Sequence, residues 1–387
     1  MKICHVITRM IVGGAQENTL LSCRGAVEVG HDVTLVTGPS PGPEGELLKR
    51  VSCPGLKIVE CPHLIRAISP LTDLKAYFFL KKLFREEKYD VVHTHSSKAG
   101  IVGRFAAKAA HVPFVAHTIH GLAFHRYEKF WKNFIYIASE RAAAPCGKRI
   151  YAVAQAMIDQ SLAAGVGKPE QYKVVYSGME LEPFLTSKPD PELRKSLGIP
   201  ENAVVFATLA RLFPLKGYET FIPVAIKLAK EIPDIHYLII GNGSMMEEIQ
   251  AQIAEAGLEK RFSFAGLVPP NEVWKYLALS SALVHFSLRE GLPRAAVQSL
   301  ASGKPVIAYA LDGTPEVVIP GKTGYLLQPG DRDGAEAAIR EIMADPAHAT
   351  ELGTNGRELV ASRFGWRTMS DVLLKDYMEQ LATLEKK

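Results

Sequence analysis

The feature that most narrows the possible folds is a strand, loop and helix opening that occurs twice. Residues 2–8 form a strand-length apolar run, pass through Arg9-Met-Ile-Val-Gly-Gly-Ala-Gln-Glu17, and enter a helical pattern carrying Leu20, Leu21, Ala26 and Val27. Near mid-chain Val204–Leu209 runs through Ala210-Arg-Leu-Phe-Pro-Leu-Lys-Gly217 into a second helix. Strand-like runs follow the first opening at Asp32–Thr37, Lys57–Glu60, Val91–Thr94, Phe114–Thr118 and Arg149–Val153, with helical patterns at 72–87, 98–110, 128–144 and 155–164. After the second come Ile235–Ile240, Phe262–Phe264, Ala282–Phe286 and Pro305–Tyr309, again with helices between them. Strands separated by helices pair in parallel and are covered on both faces. Between Val174 and Pro200 the alternation stops at Ser177-Gly178, Pro183, Pro189 and Pro191, leaving only a short polar helix near 190–197. A domain linker is expected there. The expected fold class is therefore α/β, two doubly wound domains in tandem, and 387 residues suffice for two separate cores.

In such sheets ligands bind beyond the carboxyl ends of the strands, so the strand-to-helix loops are where chemistry is sought. Phe286 to Ala308 reads as a strand end, a polar loop, a helix and a new strand, with Glu290 ahead of the helix, Pro293 suited to its first turn, and Gln298 within it. The first-turn amides of that helix favour an anion. Arg211 and Lys216, five residues apart in a loop ending at Gly217, can embrace a diphosphate, one by its planar fork and the other as a point charge. Gly13 and Gly14 allow close backbone approach at a helix start. His93, His95, His111, His117, His120 and His125 lie close in sequence, but no Asp or Glu occurs between 91 and 127 and there is no HExxH. A metal site is therefore not expected.

The balance of 45 basic and 41 acidic residues gives no argument for nucleic acid. Cys4, Cys23, Cys53, Cys61 and Cys146 are an odd set without a CxxC pair, as expected of reduced thiols in a cytoplasmic protein. The start Met1-Lys-Ile-Cys-His-Val-Ile7 is unlike a signal peptide, and no apolar run reaches membrane-spanning length. Tyr127–Ile137 mixes aromatics with Lys129 and Lys132; a core helix showing its polar edge is the expectation, and peripheral contact with an anionic inner membrane face the alternative.

In combination, Arg211-x4-Lys216-Gly217, Gly241-Asn-Gly243 and Glu290-x7-Gln298, each after a strand, resemble the retaining nucleotide-sugar glycosyltransferases of family 4, of the GT-B fold. The first half agrees: His117-Thr-Ile-His-Gly-Leu-Ala-Phe-His125, preceded by Val91-Val-His-Thr-His-Ser-Ser-Lys-Ala-Gly100, is similar to the matching family loop. The resemblance implies two Rossmann-like domains facing across a cleft, residues 1–177 on the acceptor side and 178–365 on the donor side. The amphipathic helix from Trp366 to about Glu385 would cross back onto the first. It implies transfer of a sugar from a UDP- or GDP-linked donor to a glycan, lipid-linked or small-molecule acceptor, with no metal or other cofactor and no protein nucleophile. Arg211 and Lys216 would neutralise the diphosphate, Gly13 and Gly14 meet its distal phosphate, and His120 and Glu290 hold sugar hydroxyls. Gly241 and the loop Glu290-Gly291-Leu292-Pro293 would line the donor site, with Gly266-Leu267-Val268 at the base. Gln298, where the family has Glu, would hold the ribose diol. For Ser96, Ser97, Lys98 and His125 an acceptor-site role and plain surface polarity stand level. The alternatives are a sugar-nucleotide 2-epimerase of the same architecture, for which no acidic pair is found in the first domain's loops, and a catalytically silent sugar-nucleotide binder.

Overall fold

The computed structural model describes residues 1–40 and 53–385. The chain forms two compact units, Met1–Met179 with Phe364–Lys387, and Glu180–Arg363. The crossings lie within two residues of the expected ones. Met179 stays with unit 1 because its amide donates to the Phe364 carbonyl at 2.9 Å and its carbonyl accepts from the Trp366 amide at 3.1 Å.

Unit 1 is built on a seven-stranded parallel sheet of β1 (Lys2–Arg9), β2 (Asp32–Gly38), β3 (Lys57–Glu60), β4 (Val91–His95), β5 (Phe114–Ile119), β6 (Arg149–Ala152) and β7 (Tyr172–Val174), in the order β3-β2-β1-β4-β5-β6-β7. Every residue of β4 and β5 is buried, as strands covered on both faces require. Unit 2 has six parallel strands, β8 (Val204–Leu209), β9 (Ile235–Ile240), β10 (Phe262–Gly266), β11 (Ala282–His285), β12 (Val306–Tyr309) and β13 (Gly324–Leu327), ordered β10-β9-β8-β11-β12-β13. The short edge strands β7 and β13 were not anticipated: three residues in one case, and in the other a run opening on Gly324, carry too little periodicity. In each sheet the connection reverses direction between two central neighbours, β1 and β4 in unit 1, β8 and β11 in unit 2. Those two switch points form crevices at the strands' carboxyl ends.

The last helix, Trp366–Glu385, lies against the helix Gly14–Glu28. A Cβ on Gly25 would fall 2.0 Å from Ser370 Oγ, so only glycine admits the close crossing. Met369, Leu373, Leu374 and Tyr377 are buried in the unit 1 core. Asp376, also buried, accepts from Tyr151 (2.7 Å), Arg149 (3.1 Å) and Lys173 (2.9 Å), tying this helix to β6 and β7.

One expectation is reversed. The helix Phe130–Ala143 is no core helix: Ala143 alone is buried, and Phe130 (85% exposed), Trp131, Phe134 (67%) and Ile135 share an outward face. Their spacing, i, i+1, i+4 and i+5, is the same stripe a buried helix would show.

Candidate functional site

In unit 2 the switch point gathers charge. Glu290, beyond β11, receives a 2.7 Å bond from Lys216 Nζ, and His285 Nε2 stands 3.5 Å from the same oxygen. Lys216 also donates to Ser287 Oγ at 3.1 Å, and the Glu290 amide donates to Asp312 at 2.8 Å. Burial alone would raise the Glu290 pKa, but the Lys216 charge and the nearby His285 ring outweigh it and hold the carboxyl well below its usual range. Lys216 reaches this position because Gly217 (φ 81°) seats its loop against Phe286, whose carbonyl would lie 2.1 Å from a Cβ there. Arg211 is exposed and lies over the Phe213 ring, 5.4 Å from its centroid, with no carboxylate partner among the described residues. Of the two expected cations, then, one is already balanced by Glu290, and Arg211 carries the uncompensated charge.

Gly241 (φ 144°) and Gly243 allow a close approach of two loops. Cβ atoms there would fall 2.0 Å from Ala210 O and 2.3 Å from Leu212 O, so these glycines let the loop 241–243 brace the Arg211 loop. Leu212 and Asn242 are backbone-bonded across that seam at 3.0 Å. Gly266 (φ 66°) ends β10 and leaves Leu267 largely exposed beside Val268. Gly291 and Leu292 lead to Pro293, the N-cap of the helix Arg294–Ala301, whose first turn has no side-chain cap. Gln298 is half-buried on that helix, and no hydrogen bond joins it to Glu290.

In unit 1 the corresponding crevice gathers imidazoles. His120, just past β5, bonds through Nε2 to His95 Nδ1 (3.0 Å), and His95 Nε2 bonds to His5 Nδ1 (2.9 Å). His93 sits beside them, bonded through Nδ1 to the Tyr377 hydroxyl and through Nε2 to Thr118 (2.6 Å). Burial pushes His5 down to about 3 and His93, His95 and His117 well below 6.5; for His93 and His95 neighbouring imidazoles add to the effect. Gly13 is extended (φ 174°) and N-caps the helix Gly14–Glu28 without a side-chain cap, so that helix's first amides also face the strand ends. Lys98 is not an open cation: it is paired with Asp73 and bonds to Ala67 O, joining two helices.

Residues 13–178 match a glycosyl transferase 4-like domain and residues 189–359 the glycosyl transferases group 1 family. Over 349 residues, 89% of this chain and 88% of the other, the sequence is 31% identical to the UDP-Gal:alpha-D-GlcNAc-diphosphoundecaprenol alpha-1,3-galactosyltransferase of Escherichia coli. The chain is a family 4 glycosyltransferase. A GDP-mannose-dependent phosphatidylinositol monomannoside mannosyltransferase of Mycolicibacterium smegmatis is 23% identical over 87% of this chain and 88% of its own. In fold, Anabaena Alr3699/HepE, solved with UDP, superposes with a TM-score of 0.81 at 22% identity over 98% of this chain and 100% of that one. Sucrose-phosphate synthase from Thermosynechococcus elongatus gives 0.84 at 22% identity over 99% and 100%. The two doubly wound sheets are those of the GT-B fold. These relatives are transferases, and the epimerase alternative is not favoured.

The glycosyltransferase carries further polar groups at these strand ends, set inside apolar runs or far along the chain. His285, Ser287 and Asp312 hold Glu290 and its loop; the signal for His285 was a polar residue inside the apolar run Ala282–Phe286. His5 was hidden in the same way within β1. His5, His93 and His95 bring ligand atoms within 4.8 Å of one another. Five of their six ring nitrogens are, however, already hydrogen-bonded, so the donor set suits a bonded core better than a metal.

Proposed function

We propose that this glycosyltransferase moves a hexose from a UDP-linked donor to a sugar carried on a lipid diphosphate, with retention at the anomeric carbon and without a metal ion. The observation that supports this most is the identity to the E. coli enzyme, sustained along nearly the whole chain, whose donor is UDP-galactose and whose acceptor is GlcNAc-diphosphoundecaprenol. On this reading Arg211 supplies the positive charge that meets the leaving diphosphate, where electrostatic stabilisation counts most. Lys216, held by Glu290, adds a donor at a set position. Gln298 holds the ribose and Leu267 and Val268 border the base. In unit 1, Gly13 and Gly14 offer amides to a phosphate and His120 a ring nitrogen to a sugar hydroxyl.

Thermal stabilisation by UDP-galactose, UDP-glucose and GDP-mannose tests the donor, since a ligand at ~100 times its dissociation constant adds about 2.7 kcal/mol to the native state. Radiolabel transfer to GlcNAc-diphosphoundecaprenol, with and without EDTA, tests the rest. Stabilisation by GDP-mannose alone removes the UDP reading, and transfer lost to EDTA and restored by a divalent ion removes metal independence.

A lipid-borne acceptor asks for a surface that meets a bilayer. None of the described helices is long and apolar enough to cross one. Besides the outward stripe of the helix Phe130–Ala143, the helix Pro70–Glu87 exposes Leu71, Leu74 and Phe78, and both helices pack against Ser97–Ala109, which exposes Phe105. Lys75, Arg126, Lys129 and Lys132 flank these side chains. An apolar face rimmed by cations fits an anionic membrane surface. Sedimentation with phosphatidylglycerol vesicles should bring the protein down, and the double variant Phe130→Asp, Phe134→Asp should leave it in solution. Failure of the parent protein to sediment removes the membrane reading while leaving the donor reading untouched.

A further inference from the structure

At the end of the unit 2 sheet opposite Glu290 and Arg211, a cavity of about 240 Å³ opens at the amino ends of β8, β11 and β12. Val204, Ser281 and Lys304 line it on the strand side, and Ile342, Met343 and Thr350 from the helices Arg332–Ala344 and Pro346–Arg363. The volume is below the roughly 300–1,000 Å³ of pockets that hold drug-sized molecules and suits a smaller ligand.

The wall beside β12 is the turn 302–304, and the helix Pro346–Arg363 is pressed onto it. A Cβ on Gly353 would fall 2.0 Å from Gly303 O, and one on Gly356 2.5 Å from Leu300 Cδ2. Through this close crossing Arg357 comes to lie on Gly303, where a Cβ would stand 2.9 Å from Nη2 and 3.3 Å from Cζ. Arg357 Nε is buried there with no hydrogen-bond partner among the described residues, and Lys304 Nζ has neither a hydrogen bond nor an ion pair among them. Burial and the nearby Arg357 charge hold the Lys304 ammonium below its usual pKa.

Two cations are thus fixed near one another without a protein anion to answer them, an arrangement that costs stability until something pairs with it. Asp345, beside the first turn of the helix, is already engaged, its carboxylate accepting from the His348 amide at 2.9 Å. Ser281 Oγ accepts from the Val205 amide at 3.3 Å and keeps its own O–H to give.

We propose that this cavity binds a phosphoryl group, held by Lys304 and Arg357 with the Ser281 hydroxyl as a further donor, on a small phosphomonoester or as free phosphate. A phosphoryl dianion offers oxygens to a guanidinium fork and to a point charge at once. Val204, Ile342 and Met343 give an apolar wall for a small carbon body. The six residues of β8, about 20 Å of strand, separate this site from the crevice at the carboxyl ends, so the two can be filled independently.

The test is thermal stabilisation and hydrogen exchange of the full chain in chloride buffer of fixed ionic strength, titrated with inorganic phosphate and with glycerol 3-phosphate. Saturable stabilisation is expected, with added protection in the segments 280–282, 303–306 and 346–350. Tighter binding of glycerol 3-phosphate assigns the site to phosphomonoesters, and equal or tighter binding of phosphate assigns it to the free ion. Lys304→Met and Arg357→Gln should each weaken the binding roughly 10- to 100-fold, the scale of a hydrogen bond to a charged group. A response that either substitution leaves unchanged, protection confined to other segments, or no saturable response overturns the site. In chloride alone Lys304→Met should melt no lower than the parent, because it removes a charge that burial and Arg357 disfavour. A lower melting temperature there would mean that Lys304 is already paired, which also overturns the proposal.

Discussion

At the switch point of unit 2 a carboxylate and an ammonium balance one another, with Arg211 left over as net positive charge. At the switch point of unit 1 burial keeps His5, His93 and His95 uncharged, and hydrogen bonds run from His5 through His95 to His120. Both are ways of holding polar groups at a sheet edge, but they answer differently to the medium. The ion pair survives acid until the carboxylate takes up a proton. The imidazole line is threatened as soon as the medium can protonate histidine. The contrast suits the roles proposed above, in which the charged side chains of unit 2 meet the leaving diphosphate and the imidazole of His120 in unit 1 a neutral hydroxyl.

The largest effect expected from this contrast is on acid stability. A histidine whose folded pKa is lowered contributes stability that is fully present above its unfolded value, about 6.5, and is lost as pH falls from there toward the folded value. Unit 1 buries four such rings, His5, His93, His95 and His117, and unit 2 one, His236, lowered to about 4. Each contributes up to about 1.4 kcal/mol per pH unit, so at pH 5.5, one unit below the unfolded value, unit 1 loses up to about 5.6 kcal/mol. Glu290, with its lowered pKa, begins to lose its contribution only below the unfolded carboxylate value, about 4.3. Hydrogen exchange by mass spectrometry at pH 7.5 and 5.5 should therefore show unit 1 losing protection first. Parallel loss in both units would break the contrast.

Next in size is Asp376→Ala, which leaves Tyr151, Arg149 and Lys173 without their shared acceptor. A loss of about 2–4 kcal/mol is expected, confined to unit 1 and read as faster exchange in β6 and β7. Lys216→Ala should weaken UDP binding by about 1.5–3 kcal/mol, on the order of 10- to 100-fold by calorimetry, with unit 1 exchange unchanged. Smallest is Gln298→Glu: a carboxylate accepts from both ribose hydroxyls where the amide offers one acceptor. UDP should bind about 0.5–1.5 kcal/mol more tightly and 2′-deoxy-UDP gain less. Weaker binding, or equal gains for both nucleotides, takes Gln298 out of contact with the ribose.

The strands were legible because parallel sheets demand uninterrupted apolar runs, and Val204–Leu209 and Ile235–Ile240 have the bounds that their residues suggest. The helix Phe130–Ala143 was misjudged because periodicity shows that a helix has an apolar face but not which way the face turns. Glu290, Arg211 and Lys216 could be picked out as strand-end residues. That Lys216 is already balanced by Glu290 could not be, because the two stand 74 positions apart and meet only when β8 and β11 pair. The His5 link was hidden for a similar reason: it spans 90 positions, and within β1 a lone histidine looks like any core residue.

Unit 2 is one continuous insert, Glu180–Arg363, set between the two parts of unit 1. During synthesis it can complete its sheet while the helix Trp366–Glu385 is still unmade, which inverts the usual order in which the first-made domain folds first. Until that helix arrives, His93 lacks its Tyr377 partner, and Arg149, Lys173 and Tyr151 lack Asp376. The nascent first half is thus a sheet with an open seam until the helix Trp366–Glu385 is made, and a chain stalled before that point would leave a finished Glu180–Arg363 unit tethered to an unfinished partner.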